Sequence, residues 1–422
     1  MNATTHLAEV WLTLATQTGP LPDEHAVVEA ARAASLDPDS LPSTDSASAK
    51  DVRVAARTVV IVYDDGETLP AELGAALGAC WAKTHGARQV RWDANLGTLV
   101  NLADGSVVIP WRSHVVWPFP TATQPMATAM RALARLSGNT LVAINDGLSA
   151  VTMAEEHQPE QVADCARVLT VLRHAAKVVT VSDAAAIEYI GWKRTLAAIG
   201  LKGPTVLRTD PAPGTTCGAL TAGFAERLQV GVAPLVVVFG NASPRHHELV
   251  LRGAMQAWDE GALFALTILV QSSSGQAGCV SIPNRVAESQ ASGRPLDLVY
   301  DVTASDIRWA LTKADLAITT SPPASAALEI CEAAAAGTPI LIRRGSGTAP
   351  LAGRTFEYID SADSIHQAIA NHLHGGVGDP PVTDTRATSL HRFADAVWEA
   401  VGFSGSVAAT TSQPSSPTVT TP

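Results

Sequence analysis

Two glutamates, Glu329 and Glu332, lie three residues apart in the otherwise apolar stretch ASAALEICEAAAAGTPILI, residues 324–342. A strand pattern, DLAITT, precedes it and ends at Ser-Pro-Pro, because proline cannot continue a strand ladder. A helix is therefore predicted to begin near Ala324 or Ser325, with Ser325 as a candidate N-cap, and both glutamates would share one of its faces. Buried carboxylates need partners. The motif alone favours salt bridges or caps inside the domain over a second role, the binding of ligand hydroxyls.

The elements around this helix alternate between strand and helix patterns. The first strand patterns are TVVIVYDD, SVVIPW, TLVAIND, KVVTVSD and PTVLRTD, and a second set follows a Pro/Gly/Thr-rich break: PLVVVFG, FALTILVQ, LDLVYD, DLAITTS and TPILIRR. Short Val/Ile-rich strands that are separated by helices predict an α/β fold of two doubly wound domains. Ligands then bind beyond the carboxyl ends of the strands, in the cleft between the domains. The helix after DLAITT would begin at that edge, where its free backbone N–H groups favour an anion.

The two ends of the chain differ from this α/β pattern. Two helical patterns, HLAEVWLTLA and DEHAVVEAARAA, come before a polar stretch, and the last residues are rich in Ser, Thr and Pro. The predicted segments are a helical extension and linker at 1–51, a first domain at 52–228, a second domain at 234–380, a C-terminal helix at 382–403 and a disordered tail at 404–422.

Composition narrows the classes of function. The 422 residues carry a formal net charge of -11, which argues against nucleic acid or an acidic membrane as the main partner. The five cysteines form no CxxC pair, and no apolar run reaches transmembrane length, so a cytoplasmic protein with reduced thiols is expected. The dinucleotide G-x-G-x-x-G, the P-loop and the hydrolase G-x-S-x-G motifs are all missing.

Residues 137 to 353 resemble the family 4 glycosyltransferases, which have the GT-B fold of two Rossmann-like domains. TLVAINDGLSAV is similar to the family's Val-x-x-His-Asp segment, and AAKVVTVSDAAAIEYI is similar to its Ala-Asp-x-Val-x-x-Val-Ser segment. LVVVFGNASPRHHELVLRG resembles the start of the family's second domain. The stretch from VYDVTASD to GTPILI resembles the region of its Glu-x7-Glu motif, although the motif is degenerate here.

The resemblance implies a retaining hexosyltransferase-like enzyme without a bound metal or a cofactor, the nucleotide sugar being a substrate. The second domain would bind the nucleotide sugar and the first domain a carbohydrate, lipid or protein acceptor, with the last helix packed back toward the first domain. Glu332 would hold the ribose hydroxyls, and Asp146 would lie near the reacting sugar. The residues implied beside the diphosphate are Gly240, Asn241, Arg245 and the helix start at Ser325.

Four positions depart from the family pattern. Ala324 stands where the first glutamate of Glu-x7-Glu is expected, and Asn145 replaces the histidine of the His-Asp pair. Asn241 and His246 replace an arginine and a lysine that stabilise the leaving diphosphate, although Arg245 lies beside His246. These departures leave two alternatives open: a non-catalytic GT-B binding or scaffold subunit, and a nucleotide-sugar epimerase.

Two further groups of residues are weighed. The segment PWRSHVVWPFP, residues 110–120, is interpreted as loop-like, and its Trp111, Arg112 and His114 would form either an acceptor platform or the edge of a packed core. The histidine pairs at 246–247 and at 372 and 374 have no nearby carboxylate or cysteine at metal-ligand spacing. They are interpreted as surface or helix-end histidines, and no metal site is predicted.

Overall fold

The computed structural model describes most of the chain between residues 6 and 402. The described residues are 6–16, 23–35, 52–63, 68–136, 138–214, 219–228, 230–231, 233–240, 244–271, 281–345, 355–358, 360–374 and 389–402. The predicted linker up to residue 50, residues 382–388 of the predicted C-terminal helix and the predicted tail at 404–422 therefore lie outside them.

Helices and strands alternate along the described chain. The helices are α1 (His6–Thr16), α2 (Glu24–Ser35), α3 (Leu69–His85), α4 (Gln124–Leu136), α5 (Ser149–Thr152), α6 (Pro159–Leu172), α7 (Asp183–Ala198), α8 (Phe224–Arg227), α9 (Pro244–Asp259), α10 (Ser281–Ala291), α11 (Ala304–Leu311), α12 (Ala327–Ala336), α13 (Ala362–His374) and α14 (Leu390–Val401). The strands are β1 (Val52–Ala56), β2 (Val59–Tyr63), β3 (Arg88–Asp93), β4 (Thr98–Asn101), β5 (Val107–Trp111), β6 (His114–Pro118), β7 (Thr140–Asn145), β8 (Lys177–Thr180), β9 (Thr205–Arg208), β10 (Leu235–Phe239), β11 (Ala265–Val270), β12 (Leu296–Tyr300), β13 (Leu316–Thr319), β14 (Ile340–Arg343) and β15 (Thr355–Tyr358).

The first domain is built on a sheet in the order β1-β5-β4-β3-β2-β6-β7-β8-β9, in which only β4 runs antiparallel to its neighbours. β1 passes into β2, and β5 into β6, through two residues each. At these two points Arg57 and Arg112 adopt positive φ values of 50° and 47°. The two paired strands therefore bend side by side, as bulged strands do.

The second domain has a parallel sheet in the order β12-β11-β10-β13-β14-β15. Alternate residues of β10 enter two different apolar clusters: Val236 and Val238 lie on one face of the sheet, and Val237 and Phe239 on the other. Both faces are covered, which is why the strand is apolar at every position.

All ten predicted strand patterns form strands, so the predicted fold class of two doubly wound α/β domains is confirmed. β1, β3, β4, β6 and β15 were not predicted. The interpretation of residues 110–120 as loop-like was wrong, because the segment contains the end of β5, the bend at Arg112 and the whole of β6. Its polar residues fall at the bend, which hides the strand period in the sequence.

Both ends of the described chain pack on the first domain. Leu7 and Trp11 of α1 belong to the same apolar cluster as the inner residues of the first sheet. At the other end α14 lies on α3: the Trp81 indole N–H donates to the Ala394 carbonyl at 3.2 Å, and the Lys177 ammonium donates to the last two carbonyls of α14 at 2.9 Å. A cation at the carboxyl end of a helix is favoured by the helix dipole.

The helix of the Glu329 and Glu332 stretch begins later than predicted. α12 starts at Ala327, its N-cap residue is Ala326, and no side chain caps it. The prediction of Ser325 as N-cap was therefore wrong, because residues 323–326 form turns before the helix and the Ser325 hydroxyl bonds elsewhere. Gly337 ends α12 in the left-handed conformation with φ 74°, as expected of a C-terminal glycine.

Candidate functional site

The first side of the site is the turn that follows β7. Asn145 ends the strand, and its side-chain oxygen accepts a hydrogen bond from the Gly147 N–H at 2.8 Å. This turn places the half-buried Asp146 at the carboxyl edge of the first sheet. Asn and Asp favour such turns because their short side chains reach the backbone two residues on.

Glu188 of α7 holds this turn in place. One of its oxygens accepts from the Leu148 N–H at 2.5 Å, and the other accepts from the Thr152 hydroxyl at 2.7 Å. The carboxylate therefore fixes both the turn and the short helix α5 against α7. Sequence reasoning missed Glu188, since a glutamate in the amphipathic pattern AAAIEYIGW carries no local sign of this role.

A cavity of about 270 Å³ opens beside Asp146. Its walls come from the ends of β6 and β7, from α6 and α7, and from one residue of the second domain. The lining residues are Pro120, Thr121, Asn145, Asp146, Gly147, Ser149, Ala150, Gln161, Asp164, Cys165, Val168, Tyr189 and Ser325. Two predicted site residues from different domains, Asp146 and Ser325, thus lie in the same cavity.

The surroundings of Asp146 disfavour its charge. Burial, with a smaller contribution from the Glu188 charge, raises the pKa of its carboxyl to about 6, and the backbone N–H of Asp146 itself opposes this shift. Burial also raises the pKa of the Cys165 thiol to about 12, so this thiol stays protonated near neutral pH. Asp146 is thus the group of the cavity that can exchange a proton near neutral pH.

The second domain closes directly onto this turn through the segment before α12. The Ser182 hydroxyl donates to the Ala324 carbonyl at 3.0 Å, and the Ser149 and Ser325 hydroxyls lie 3.1 Å apart. Gly147, at φ 134°, leaves no space for a side chain: an added Cβ would come within 2.6 Å of the Ala324 Cβ. The alanine at position 324 therefore belongs to a tight contact between the domains.

Gly240 and Glu329 meet at the carboxyl edge of the second sheet. The hydroxyls of Thr319 and Ser321 both donate to the Glu329 carboxylate, the latter at 2.6 Å. Gly240 follows β10 with φ 120°, and a Cβ there would lie 2.7 Å from the Ser321 Oγ. Burial, with a smaller contribution from the Asp146 charge, raises the pKa of Glu329 to about 7, and the two hydroxyl bonds oppose this shift. The two carboxyls therefore sense each other across the domain boundary.

Glu332 lies in a buried ion network. One oxygen accepts from the Gly214 N–H at 2.7 Å and the other from the Arg308 Nε at 3.1 Å, while the Arg308 Nη1 reaches Glu72 of the first domain at 2.5 Å. Burial raises the pKa of Glu332, and the Arg308 charge opposes the shift. Both glutamates are thus held by hydrogen bonds or ion pairs inside the protein, as the motif alone favoured. The binding of a ribose by Glu332 stays a prediction.

A second ion network joins the domains at Arg343. Its guanidinium donates to both oxygens of Glu156 at 2.9 and 3.2 Å and to both oxygens of Asp360 at 3.0 and 2.6 Å. His246 lies 3.6 Å from each of these carboxylates and is buried, as is His247. Both lie near the start of α9, so they are helix-end histidines as the sequence allowed, and the interpretation as surface histidines was wrong. The two carboxylates come from distant parts of the chain, which local spacing cannot reveal.

The trio of Glu156, His246 and Asp360 has ligand atoms close enough for a metal ion. The Arg343 guanidinium already bonds both carboxylates, however, and a cation placed there would be repelled by it. The residues therefore fit an ion-pair network better than a metal site.

The three predicted acceptor-side residues lie away from Asp146. Trp111 is buried and stacks on Trp11 of α1 with ring centroids 5.7 Å apart, and Arg112 is exposed with its guanidinium over the Trp111 ring. His114 opens β6 and pairs in register with the first residue of β7, whereas Asp146 follows the last. The structure thus supports the packed-edge interpretation of these residues and does not bring them to the cavity.

Two predicted donor residues cannot be placed in the site. Asn241 lies outside the described residues, and so does the side chain of Arg245. Of the residues that sequence reasoning missed, Arg308 had a detectable signal: a charged residue in the apolar helical pattern SDIRWALTKA needs a partner. Tyr189 and Gln161, which line the cavity, carry no such signal in the sequence.

Comparison with solved structures finds chains of the same architecture. HepE from Anabaena, in complex with UDP and glucose, superposes with a TM-score of 0.57 over 82% of this chain and 99% of its own, at 11% identity. The UDP-forming trehalose-phosphate synthase of Burkholderia vietnamiensis gives a TM-score of 0.53 over 82% and 98% of the two chains, at 10% identity. A putative UDP-N-acetylglucosamine 2-epimerase of Listeria monocytogenes gives 0.50 over 84% and 98%, at 13% identity.

Identities this low show the fold alone, and they confirm the predicted two-domain GT-B fold of glycosyltransferases. No protein-family model matches the chain, and no curated protein matches its sequence. Within the described residues, no helix has both the length and the apolar character that crossing a membrane requires.

Proposed function

We propose that this protein is a glycosyltransferase of the family 4 type, which transfers a sugar residue from a nucleotide sugar to a hydroxyl acceptor. The observation that carries the proposal is the position of Asp146, at the carboxyl edge of the first sheet and in a cavity that also includes Ser325 of the second domain. Ligands of parallel α/β sheets bind at this edge. HepE, which was solved with UDP and glucose, shares the fold.

In this reaction the bond between the anomeric carbon of the donor and its diphosphate breaks, and the acceptor oxygen bonds to that carbon. The acceptor proton leaves with the diphosphate, and we expect retention of configuration. Positive charge develops on the sugar ring in the transition state. An ionised Asp146 carboxylate beside the ring would stabilise that charge. Because its pKa is about 6, the ionised form dominates at neutral pH.

The donor would lie along the carboxyl edge of the second sheet. Gly240 follows β10 there, and α12 begins nearby without a side-chain cap, so its first backbone N–H groups favour a diphosphate. Asn241 and Arg245 would supply further donors. Glu332 already accepts two hydrogen bonds, but each carboxylate oxygen carries two lone pairs, so it retains capacity for a ribose hydroxyl.

A second candidate is a non-catalytic binding or scaffold subunit. The observation that favours it is the closed contact between Ala324 and Gly147, together with the hydrogen bond from Ser182 to the Ala324 carbonyl. These contacts hold the segment before α12 tightly against the turn after β7. In this candidate the two ion networks serve to hold a rigid two-domain surface.

Two experiments separate the two candidates. The first is calorimetric titration of UDP and GDP into the full chain, and the second is an assay for nucleoside diphosphate release from UDP- and GDP-sugars. If the protein is a glycosyltransferase, it should bind a nucleotide and release nucleoside diphosphate from a nucleotide sugar. Asp146→Asn should then strongly reduce this release and leave nucleotide binding intact. Asp259→Asn is the matched control, because Asp259 is an exposed residue of α9 that pairs with Arg294.

Failure of the folded wild type to bind either nucleotide would overturn the transferase proposal and favour the scaffold. Conversion of the nucleotide sugar into its epimer, without an acceptor, would instead identify an epimerase, a class with a structural neighbour of the same fold.

A further inference from the structure

The cavity beside Asp146 contains a buried hydroxyl without a partner. Tyr189 is fully buried in α7 and lines the cavity, and its hydroxyl has no hydrogen-bond partner among the described residues. Burial raises the pKa of this hydroxyl, and Cys165 and Asp146 line the same cavity. Buried hydroxyls are normally satisfied, so an unpaired one at a cavity wall indicates a missing ligand atom.

The cavity is also negatively charged without a positive group in its walls. Asp146 and Asp164 line it, and the charge of Glu188 acts on Asp146, whereas no lysine, arginine or histidine is among the lining residues. Asp164 is paired with Arg167 of the same helix, and Glu188 is held by Leu148 and Thr152. Among the described residues no side chain is paired with the Asp146 carboxylate, and the hydrogen bond that favours its charged form comes from its own backbone N–H.

The size of the cavity limits what could supply the missing charge. A volume of about 270 Å³ corresponds to roughly nine water molecules, which is enough for one sugar-sized ring. A divalent metal fits poorly here. Among the described residues, the side chains close enough together to hold a metal ion are Glu156, His246 and Asp360, which do not line this cavity. A phosphate or other anion would face two aspartates with no cation to receive it.

We propose that this cavity binds a hydroxylated ring that carries a protonated amine, such as an amino sugar, with the ammonium on Asp146 and a ring hydroxyl on Tyr189. The ammonium donates charge-assisted hydrogen bonds to the carboxylate and offsets the repulsion between Asp146 and Glu188. The ring hydroxyl satisfies the buried phenol, and Val168 and Pro120 supply apolar surface for the ring face.

An ammonium on Asp146 would occupy the carboxylate that the proposed transfer places beside the donor ring, so this inference goes beyond the proposed function and names an alternative occupant of the cavity. It does not rest on that function, since binding of the amine requires no donor and no turnover. A neutral sugar can satisfy Tyr189 but leaves the charge of Asp146 uncompensated, and this difference makes the proposal testable with closely matched probes.

Ligand-observed NMR titration of the full chain at pH 7 provides the test, with glucosamine, glucose, N-acetylglucosamine and glucose 6-phosphate as probes. Glucosamine is expected to bind about tenfold more tightly than glucose, because hydrogen bonds to a charged partner exceed neutral ones by roughly this factor. N-acetylglucosamine, whose amide carries no charge, is expected to bind no more tightly than glucose. Glucose 6-phosphate is expected not to bind.

Two variants assign the effect to the named groups. Asp146→Asn is expected to abolish the preference for glucosamine over glucose, whereas Tyr189→Phe is expected to weaken both sugars and keep their ratio. Asp259→Asn and Tyr300→Phe are the matched controls outside the cavity and are expected to bind like the wild type. Unfolding curves establish that each variant is folded.

Three results would overturn the inference: equal binding of glucose and glucosamine, no binding of either sugar by the folded wild type, or a preference that survives Asp146→Asn. None of them bears on the release of nucleoside diphosphate. Release of nucleoside diphosphate with a neutral acceptor would support the proposed transfer and contradict the amine site. Binding of the amine without binding of a nucleotide would support the amine site and contradict the proposed transfer.

Discussion

Ala324 of the second domain lies against Gly147 of the first, so closely that a Cβ built on Gly147 would approach the Ala324 Cβ to 2.6 Å. The same glycine has φ 134°, a backbone conformation that side-chain-bearing residues rarely adopt. Its position is therefore constrained twice, by the turn that presents Asp146 and by the closure of the two domains.

Gly147→Ala is expected to lower the free energy of unfolding by about 3 kcal/mol, through backbone strain and through the clash with Ala324. Denaturant unfolding measures the change. Gly261→Ala is the matched control, since Gly261 has φ 94° but no atom within 4 Å of its added Cβ, so it reports backbone strain alone. Equal losses in the two variants would contradict the close contact between the domains.

Breaking the buried pair between Arg308 and Glu332 is expected to be costly. Glu332→Ala should lower the free energy of unfolding by about 3 kcal/mol, because the buried Arg308 then loses one of its carboxylate partners. Denaturant unfolding at neutral pH measures this loss. An unfolding midpoint equal to that of the wild type would show that the network does not hold the domains.

Glu72→Ala is the control that separates this structural role from ribose binding. It removes the other partner of Arg308 and leaves Glu332 in place. If Glu332 holds the ribose, calorimetry should show that UDP binding is lost in Glu332→Ala and retained in Glu72→Ala. Equal loss of binding in both variants would assign the effect to domain packing instead.

The pKa of Glu329, raised to about 7 by burial, predicts how stability depends on pH. The folded chain holds this proton more tightly than the unfolded chain, whose glutamate titrates near its usual 4.5. Stability from this group is therefore fully present below pH 4.5 and is lost as pH rises to about 7, by roughly 3 kcal/mol.

Glu329→Gln mimics the protonated side chain and should flatten this dependence. Urea unfolding of both proteins between pH 5 and pH 8 tests it, with Glu357→Gln, a change at a more exposed glutamate of β15, as the control. An unchanged slope in Glu329→Gln would show that Glu329 is ionised throughout this range.

Arg343 is expected to exclude metal ions from the group of Glu156, His246 and Asp360. Arg343→Met removes the guanidinium that bonds both carboxylates, so these side chains become available to Zn²⁺. We expect Zn²⁺ to stabilise this variant against heat and to leave the wild type unchanged. Arg344→Met is the control, because Arg344 is exposed and lies outside the network. Stabilisation of the wild type by Zn²⁺ would show that the guanidinium does not fill the site.

The amino-acid sequence by itself determines the elements and their order. Runs of Val and Ile without polar interruption report strands buried on both faces, and this local signal located ten strands as well as the place where Asp146 follows β7. It missed the edge strands β1 and β15, and it missed β6, which follows the bend at Arg112. It also missed the interior strands β3 and β4, in which polar residues stand among the apolar ones. A bend depends on pairing with a neighbouring strand, which a local pattern does not contain.

The partners of the charged residues were decided only by the tertiary structure. Arg308 meets Glu72 across 236 positions, and Ser149 meets Ser325 across 176, because the two domains close on each other. Such contacts depend on the relative placement of two sheets, and nothing in the sequence near either residue encodes it. The unpaired hydroxyl of Tyr189 has the same origin: its local pattern is that of an ordinary core residue, and only the packing of α6 and α7 around the cavity leaves it without a partner.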